Sequence, residues 1–518
     1  MYDILIKNGM VIDGTGAAAF KADVLIQKGV VAEIAPNIKA NAIDEVIDAT
    51  GKFVTPGFID IQNHSDSYWT LFEQPDQVSL LSQGITSIII GNCGASLAPL
   101  ASAESIKAIQ KWHNLSGINI NWTSVRELLS AIEKIKPGVN VGTLVGHATL
   151  RRGLLGDQIR ATTADEIAIM NRMLSESLSE GALGFSMGLV YAHEVNSTEA
   201  ELASLCSALK KNDKYLSIHL RSEDGGILEA VDEAIHLAEQ NQVRVKISHL
   251  KVRGSKNWHQ FEWIINKLEN AYHRGLDVTF DVYPYHSTWS VLYTYLPKWS
   301  YEGGRSQILR RIGSKEDRPK LLEALREQAY NYDNIKIASA PGAEHLVGRT
   351  IPHVAIGQAV TNEQALLNIL TATSCQAIVY DHNLDTDQVE LLLASPLSVI
   401  ATDGAGYSNE TADLIHPRCF GTMGRFLSQV REKKLMTWEQ AIRKITGEPA
   451  RILKIDRGTL RKGAPADVVV MDPATVRDMA DYDHPYQLTE GIASVILNGR
   501  VAFQNRKPAG EYGEILIR

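Results

Sequence analysis

Residues 215–251 read YLSIHLRSEDGGILEAVDEAIHLAEQNQVRVKISHLK, two short apolar runs separated by a stretch, GGILEAVDEAIHLAEQNQ, whose apolar residues recur at helical spacing. A strand, a helix and a second strand in that order make one βα repeat of a parallel sheet. Each run ends on a histidine, His219 and His249, and the two stand thirty positions apart. One repeat of a barrel has about that length, so the spacing predicts two imidazoles on neighbouring strands, at equal height, facing one central volume.

The same pattern extends in both directions. FVTPGFIDIQNH, ITSIIIGNCG, VNVGTLVGHAT, ALGFSMGL, YLSIHLRS, RVKISHLK, DVTFDVYPY and LSVIATDG make eight strand candidates, most with polar or reactive side chains at the C-terminal end. That is the face on which a (β/α)8 TIM barrel builds its active site, and the bias favours a barrel over an open α/β sheet. Helical patterns such as ADEIAIMNRMLSESLSEG fill the intervals.

Both ends of the chain read differently. YDILIKNGMVIDG, ADVLIQKGVVAEIAP and EVIDATGKFVTPG at the start, and ADVVVMDP, IASVILNGRVAFQNRKPAG and EILIR at the end, are short β-like pieces divided by turn signals. They predict a small β-sandwich built from residues 1–55 and 455–518, with the barrel over 56–454. Between the seventh and eighth strand candidates the rhythm breaks for more than sixty residues, which predicts an inserted subdomain over about 286–348, overhanging the pocket as a wall or lid.

A chain of 518 residues is long enough for several structural units, and its net charge of −8 with interspersed signs leaves no electrostatic footprint for nucleic acid or anionic membrane. The expected partner is a small molecule. No run approaches the roughly 20 apolar residues of a membrane span, and MYDILIKNGMVIDGTG carries charges where a signal peptide needs an apolar core, so the expected location is cytoplasmic. Four cysteines, Cys93, Cys206, Cys375 and Cys419, lack CxxC spacing, which argues against a disulfide framework or a zinc knuckle.

Cys93 lies between Asn92 and Gly94 at a strand end, where glycine lets the backbone approach a ligand. Alone it reads first as a small buried core cysteine. Together with His219 and His249 it offers a thiolate and two imidazoles, a donor set for a soft or borderline cation. Asp403 ends the last strand candidate, where its carboxylate could move a proton or merely cap a helix. Arg418, fifteen residues further on, could bind a substrate carboxylate or stand in solvent.

Here a resemblance enters. PGFID followed by GNCGASLAPL, then GALGFSMGLVY, HLRSE, SHLK, DVYPY, TDG with HPR, and DRGTLRKGAPADVVVMDP resemble in order and spacing the D-aminoacylase (N-acyl-D-amino-acid deacylase) branch of the amidohydrolase superfamily, from Tyr2 to Arg518. The diagnostic part is GNCG, in place of a barrel lysine that bridges two metals in most relatives. The resemblance implies that Cys93, His219 and His249 hold a tightly bound zinc, that Asp403 is the general acid/base, and that Arg418 and Tyr283 receive the substrate carboxylate. It further implies hydrolysis of N-acyl-D-amino acids to a carboxylate and a free D-amino acid.

Two departures from the family pattern stand out. Where the first barrel strand of the family ends in His-x-His, this chain reads Gln62-Asn63-His64. A neutral amide is a poor zinc ligand, so one metal is expected, with His64 a weak ligand or hydrogen-bonding neighbour. After YPY the chain places Trp289 where the family has serine, which leaves Ser287 or Ser290 to supply the hydroxyl. Tyr191 could polarise the scissile carbonyl or line the acyl pocket, and His147 and His286 stand at further strand ends. The competing readings are a cyclic-amide hydrolase of the dihydroorotase or hydantoinase kind, which lacks its bridging lysine here, and a degenerate barrel kept for binding, for which Gln62 and Trp289 speak.

Overall fold

A computed structural model describes residues 3–517 apart from 40–42, 103–104, 107–118, 157, 302 and 412. Its centre is an eight-stranded parallel sheet. The strands, numbered here in chain order, are β1 (Phe58–Asp60), β2 (Ile85–Ile90), β3 (Asn140–Gly146), β4 (Gly184–Gly188), β5 (Tyr215–His219), β6 (Arg244–Ile247), β7 (Val278–Val282) and β8 (Ser398–Ile400). Each pairs with the next in parallel. Beyond the ends of β1 and β8 the ring is drawn together by a parallel bridge between Asn63 and Gly404, where Asp403 N donates to Gln62 O at 2.9 Å and His64 N to Gly404 O at 2.7 Å. The fold is therefore α/β, around a nearly closed parallel barrel.

Helices cover the strands because their apolar residues fall on one stripe. In Ile227–Asn241, between β5 and β6, the buried positions are Ile227, Ala230, Val231, Ala234, Ile235, Leu237 and Ala238, the spacing of a helix with one face on a sheet. Ala164–Ser179 starts at a capping box, Thr163 with Glu166, which satisfies backbone donors left open at a helix N-terminus. No helix among the described residues is long and apolar enough to cross a membrane.

The register corrects one expectation. Ile218 pairs with Ile247, so His249 lies one residue further along its strand than His219 rather than level with it. An extended backbone would turn His249 to the opposite face from Ser248. Its φ of 38° breaks the alternation and brings the two rings to a centroid distance of 4.3 Å.

Both ends of the chain join one separate nine-stranded sheet. Its N-terminal wing (Ile4, Ile6, Val24, Ile26) and C-terminal wing (Val468, Val470, Ile496) share one apolar cluster. The hairpin Ile492–Leu497 with Arg500–Gln504 turns at Asn498-Gly499, both at positive φ, as a tight two-residue turn requires. EILIR is the exception: Ile515 bridges to Val141 of β3, and Leu516 N donates to Val141 O at 2.8 Å, so this piece ends on the barrel instead of in the terminal sheet.

Between β7 and β8 the chain forms a third, antiparallel sheet in which Ile378–Asp381 lies between Thr288–Val291 and Ile335–Ser339. Trp289, Val291, Ile337, Leu366, Leu370 and Tyr380 belong to its apolar cluster, distinct from that of the barrel. The elements of this sheet reach to Asp381, beyond the interval in which the sequence rhythm first breaks.

Candidate metal centre and cavity

Cys93 follows β2 in a loop that only glycines permit. Gly91 and Gly94 both have φ of 77°, and a Cβ on Gly94 would stand 2.2 Å from Glu194 Oε2. The loop is pinned by Gly94 N donating to Ser186 Oγ at 3.1 Å and by Ser186 Oγ donating to Gly91 O at 2.5 Å. Cys93 itself is left-handed at φ 53°, as is Asp403 at φ 48°. With His249 that makes three non-glycine residues held in a region that costs about 1 kcal/mol or more each, and such strain gathers where side chains must be aimed for chemistry.

The aim is common to all of them. The ligating atoms of Cys93, His219 and His249 lie within 4.8 Å of one another, and all three residues are buried. Cys93 Sγ is 3.5 Å from His249 Nε2 and 3.8 Å from His64 Nε2. His219 Nδ1 is buried without a hydrogen-bond partner, an arrangement that a bound cation would relieve. A thiolate and two imidazoles converging from three strand ends are a donor set that would suit a borderline divalent ion. His64, Cys93 and Asp403 form a second group of possible donors that shares the sulfur.

Burial alone would raise the Cys93 thiol, but the charge on His249 and hydrogen bonds with His219, His249 and His64 hold it well below its ordinary range. Burial lowers the His219 imidazole, which favours the neutral form that a metal needs. Asp403 is opposed by burial too, yet Arg418, His249 and His64 hold its carboxyl well below the usual carboxylate range. Arg418 Nη1 lies 2.7 Å from Asp403 Oδ2, and His64 Nε2 lies 3.2 Å from Oδ1.

The centre opens into a cavity of about 340 Å³, lined among others by His64, Tyr191, Tyr283, Trp289, Ser290, Asp403 and Arg418. Tyr191 packs 5.0 Å from the His219 ring, and the Arg418 guanidinium lies 4.7 Å over the Tyr283 ring and 5.7 Å from that of Trp289. Trp289 also stacks on Tyr68 at 4.8 Å. Residues of the segment between β7 and β8, including Leu296, Tyr301 and Tyr330, line part of the same cavity.

Three strand-end residues lie elsewhere. Ser287 does not line the cavity; its hydroxyl makes a short contact with His382 Nδ1. His286 stacks on the His382 ring at 5.4 Å. His147 is buried between Glu194 at 3.1 Å and Glu201 at 2.7 Å, a partner in the packing behind the GNCG loop.

Sequence reasoning passed over Glu223 and Lys251, the last letters of HLRSE and SHLK. Glu223 Oε1 stands 3.0 Å from His249 Nδ1, 3.7 Å from His219 Nε2 and 2.6 Å from Lys251 Nζ. Burial opposes its ionisation, but Lys251, His219 and His249 hold it well below the usual range, and Glu223 and Lys251, the latter 2.7 Å from His249 Nδ1, together position the His249 ring from behind. Their fixed offsets from the two histidines were the available signal.

The chain is similar over its whole length to proteins of known activity. An N-acyl-D-glutamate deacylase of Alcaligenes xylosoxydans xylosoxydans is 32% identical over 100% of this chain and 96% of its own. The crystal structure of N-acyl-D-glutamate deacylase from Bordetella bronchiseptica, complexed with zinc and a phosphonate mimic of the tetrahedral intermediate, has a TM-score of 0.85 at 31% identity and covers 100% of both chains. A D-aminoacylase structure addressing a binuclear metal centre, with one-metal activation and second-metal attenuation, also has a TM-score of 0.85, at 29% identity over 100% of both chains. The Amidohydrolase family profile matches residues 45–503, and with full-length relatives of this similarity the chain belongs to the amidohydrolase family.

Proposed function

We propose that this protein hydrolyses the amide bond of N-acyl-D-amino acids, giving a carboxylate and the free D-amino acid, with one zinc ion held by Cys93, His219 and His249. The observation that carries the reading is the convergence of those three donors within 4.8 Å of one another in the cavity that Asp403 and Arg418 also line. Full-length similarity to deacylases of N-acyl-D-amino acids supports the substrate class.

Zinc in this site would supply Lewis acidity, making water a stronger acid and polarising the amide carbonyl. Asp403, ionised beside Arg418, takes the proton from the attacking water and returns it to the departing amine nitrogen. His64, 3.2 Å from Asp403, fixes the orientation of that carboxylate and serves at most as a weaker ligand.

Arg418 keeps donors beyond its contact with Asp403, since its Nε is buried without a partner, and the Tyr283 hydroxyl is likewise unpartnered. These two groups receive the substrate α-carboxylate. Trp289 and Tyr191 bound the space for the acyl group and side chain, and Ser290, which lines the cavity, takes the place assigned to either Ser287 or Ser290. D-selectivity follows from three fixed points: the acyl group beside Cys93, His219 and His249, which would hold the metal, the carboxylate at Arg418, and the side chain toward the segment between β7 and β8.

The same reading treats residues 1–55 with 455–518 as a β-sandwich unit, 56–454 as the catalytic barrel, and the insertion of about 286–348 as the wall or lid of the site. The test is release of D-amino acid from N-acetyl-D-amino acids by zinc-loaded enzyme. Turnover confined to cyclic amides, or no turnover with zinc bound, would contradict it.

A further inference from the structure

Lys246 lies on β6 and is fully buried in the barrel, as are Gln62 and Asp281. Its ammonium donates to Gln62 Oε1 at 2.6 Å and makes a short ion pair with Asp281 Oδ2. Ser248 Oγ donates to the same Gln62 oxygen at 3.1 Å. The other end of the amide points the opposite way: Gln62 Nε2 donates to Cys93 Sγ at 3.1 Å.

This clamp decides what Gln62 can do. An amide ligates a cation through its oxygen, and that oxygen is turned to Lys246 while the NH2 faces the sulfur. Gln62 is thus a hydrogen-bond donor to a thiolate and not a metal ligand. Asp281 is fixed just as firmly, with Oδ1 accepting from His249 N at 2.8 Å.

Burying an ammonium and a carboxylate at the heart of a barrel is unfavourable against an apolar pair of similar volume, so the ion pair needs a reason beyond packing. Beside it stands the second group of possible donors, His64, Cys93 and Asp403. Gln62, two residues before His64, turns its NH2 to the sulfur of that group, and the group's carboxylate is engaged by Arg418.

We infer that the Lys246–Asp281 ion pair stands in for a second metal: through Gln62 it fixes a donor on Cys93, and with its ammonium end turned to Gln62 it keeps a second divalent ion out of the His64–Cys93–Asp403 group. The enzyme then stays mononuclear in excess metal. The inference rests on the reading of Cys93, His219 and His249 as ligands.

The experiment is metal content after equilibration with a tenfold excess of zinc and removal of free ion. Wild type is expected to retain one equivalent per chain, with activity unchanged by the excess. Gln62→His alone is expected to stay at one, because Lys246 remains. Gln62→His combined with Lys246→Met and Asp281→Asn is expected to rise to two. Two equivalents in wild type, or in Gln62→His alone, would overturn the inference while leaving the ligand assignment intact, and so would a folded triple variant that stays at one. Absence of bound zinc in wild type would remove the ligand reading and the inference with it. Should the triple variant fail to fold, the wild-type and Gln62→His measurements still decide.

Discussion

Arg418 and His64 grip opposite oxygens of Asp403, at 2.7 Å and 3.2 Å, so the one carboxylate facing the candidate metal centre from β8 is held by a cation on one side and an imidazole on the other. Burial works against its ionisation, and the neighbouring positive charges outweigh burial. A base held this low stays ionised across the neutral range.

The pH dependence follows with a definite sign. A carboxylate whose pKa is depressed is in its working form above that pKa, so removing the cation raises the pKa and carries the acid limb to higher pH. Arg418→Met should move the acid limb of kcat/KM upward by roughly 1–3 pH units. It should also raise KM by removing a donor to the substrate carboxylate. An acid limb unmoved in the variant would mean that Asp403 is not the base.

Asp403→Asn should retain zinc and lose roughly 10²–10⁴-fold in turnover, because an amide cannot carry the proton. Cys93→Ala should lose the metal instead. Elemental analysis alongside the assay separates the two effects.

Gly94→Ala tests the loop that aims the thiol. The new Cβ would meet Glu194 Oε2 at 2.2 Å and would sit on a backbone with φ of 77°. Because Glu194 is fixed by Gly188 N at 2.8 Å and by His147, it cannot simply swing away. A loss of about 1–3 kcal/mol in unfolding free energy is expected, together with weaker zinc retention.

Behind that loop, Glu201 bonds His147 at 2.7 Å and Arg151 at 2.5 Å. Burial opposes ionisation, but His147 and Arg151 bring its pKa down from 4.5 to about 2. A depressed carboxylate contributes stability that is full above its unfolded pKa and is lost as pH falls through the folded one. Glu201→Gln should therefore be destabilising by about 3 kcal/mol at pH 6. The difference from wild type should shrink between pH 4.5 and 2 in denaturant titrations.

The strand ends bearing Cys93, His219, His249 and Asp403 were legible because a parallel strand buried on both faces is a continuous apolar run, and a reactive residue at its C-terminal end stands out. What the local pattern could not carry was pairing. The register of β5 against β6 sets His249 one residue beyond His219, and the left-handed turn that compensates has no sequence mark in a histidine. Ser287 and Ser290 could not be sorted between interior and cavity because the strand Thr288–Val291, which begins after Ser287 and includes Ser290, pairs with Ile378–Asp381, about ninety residues away. Lys246 reads as an ordinary polar position of a strand, and only the nearly closed ring of strands brings it to Gln62. Likewise EILIR has a strand's composition, and its choice of the barrel over the terminal sheet is a tertiary matter.

The most direct test of the whole account is chiral product analysis of zinc-loaded protein given matched N-acetyl-D- and N-acetyl-L-amino acids, with dihydroorotate and a hydantoin alongside. The account predicts stoichiometric acetate and free D-amino acid, little or no L-product, and untouched cyclic amides. Hydrolysis of the cyclic amides alone, or a zinc-bound protein inert toward every N-acyl-D-amino acid, would contradict it.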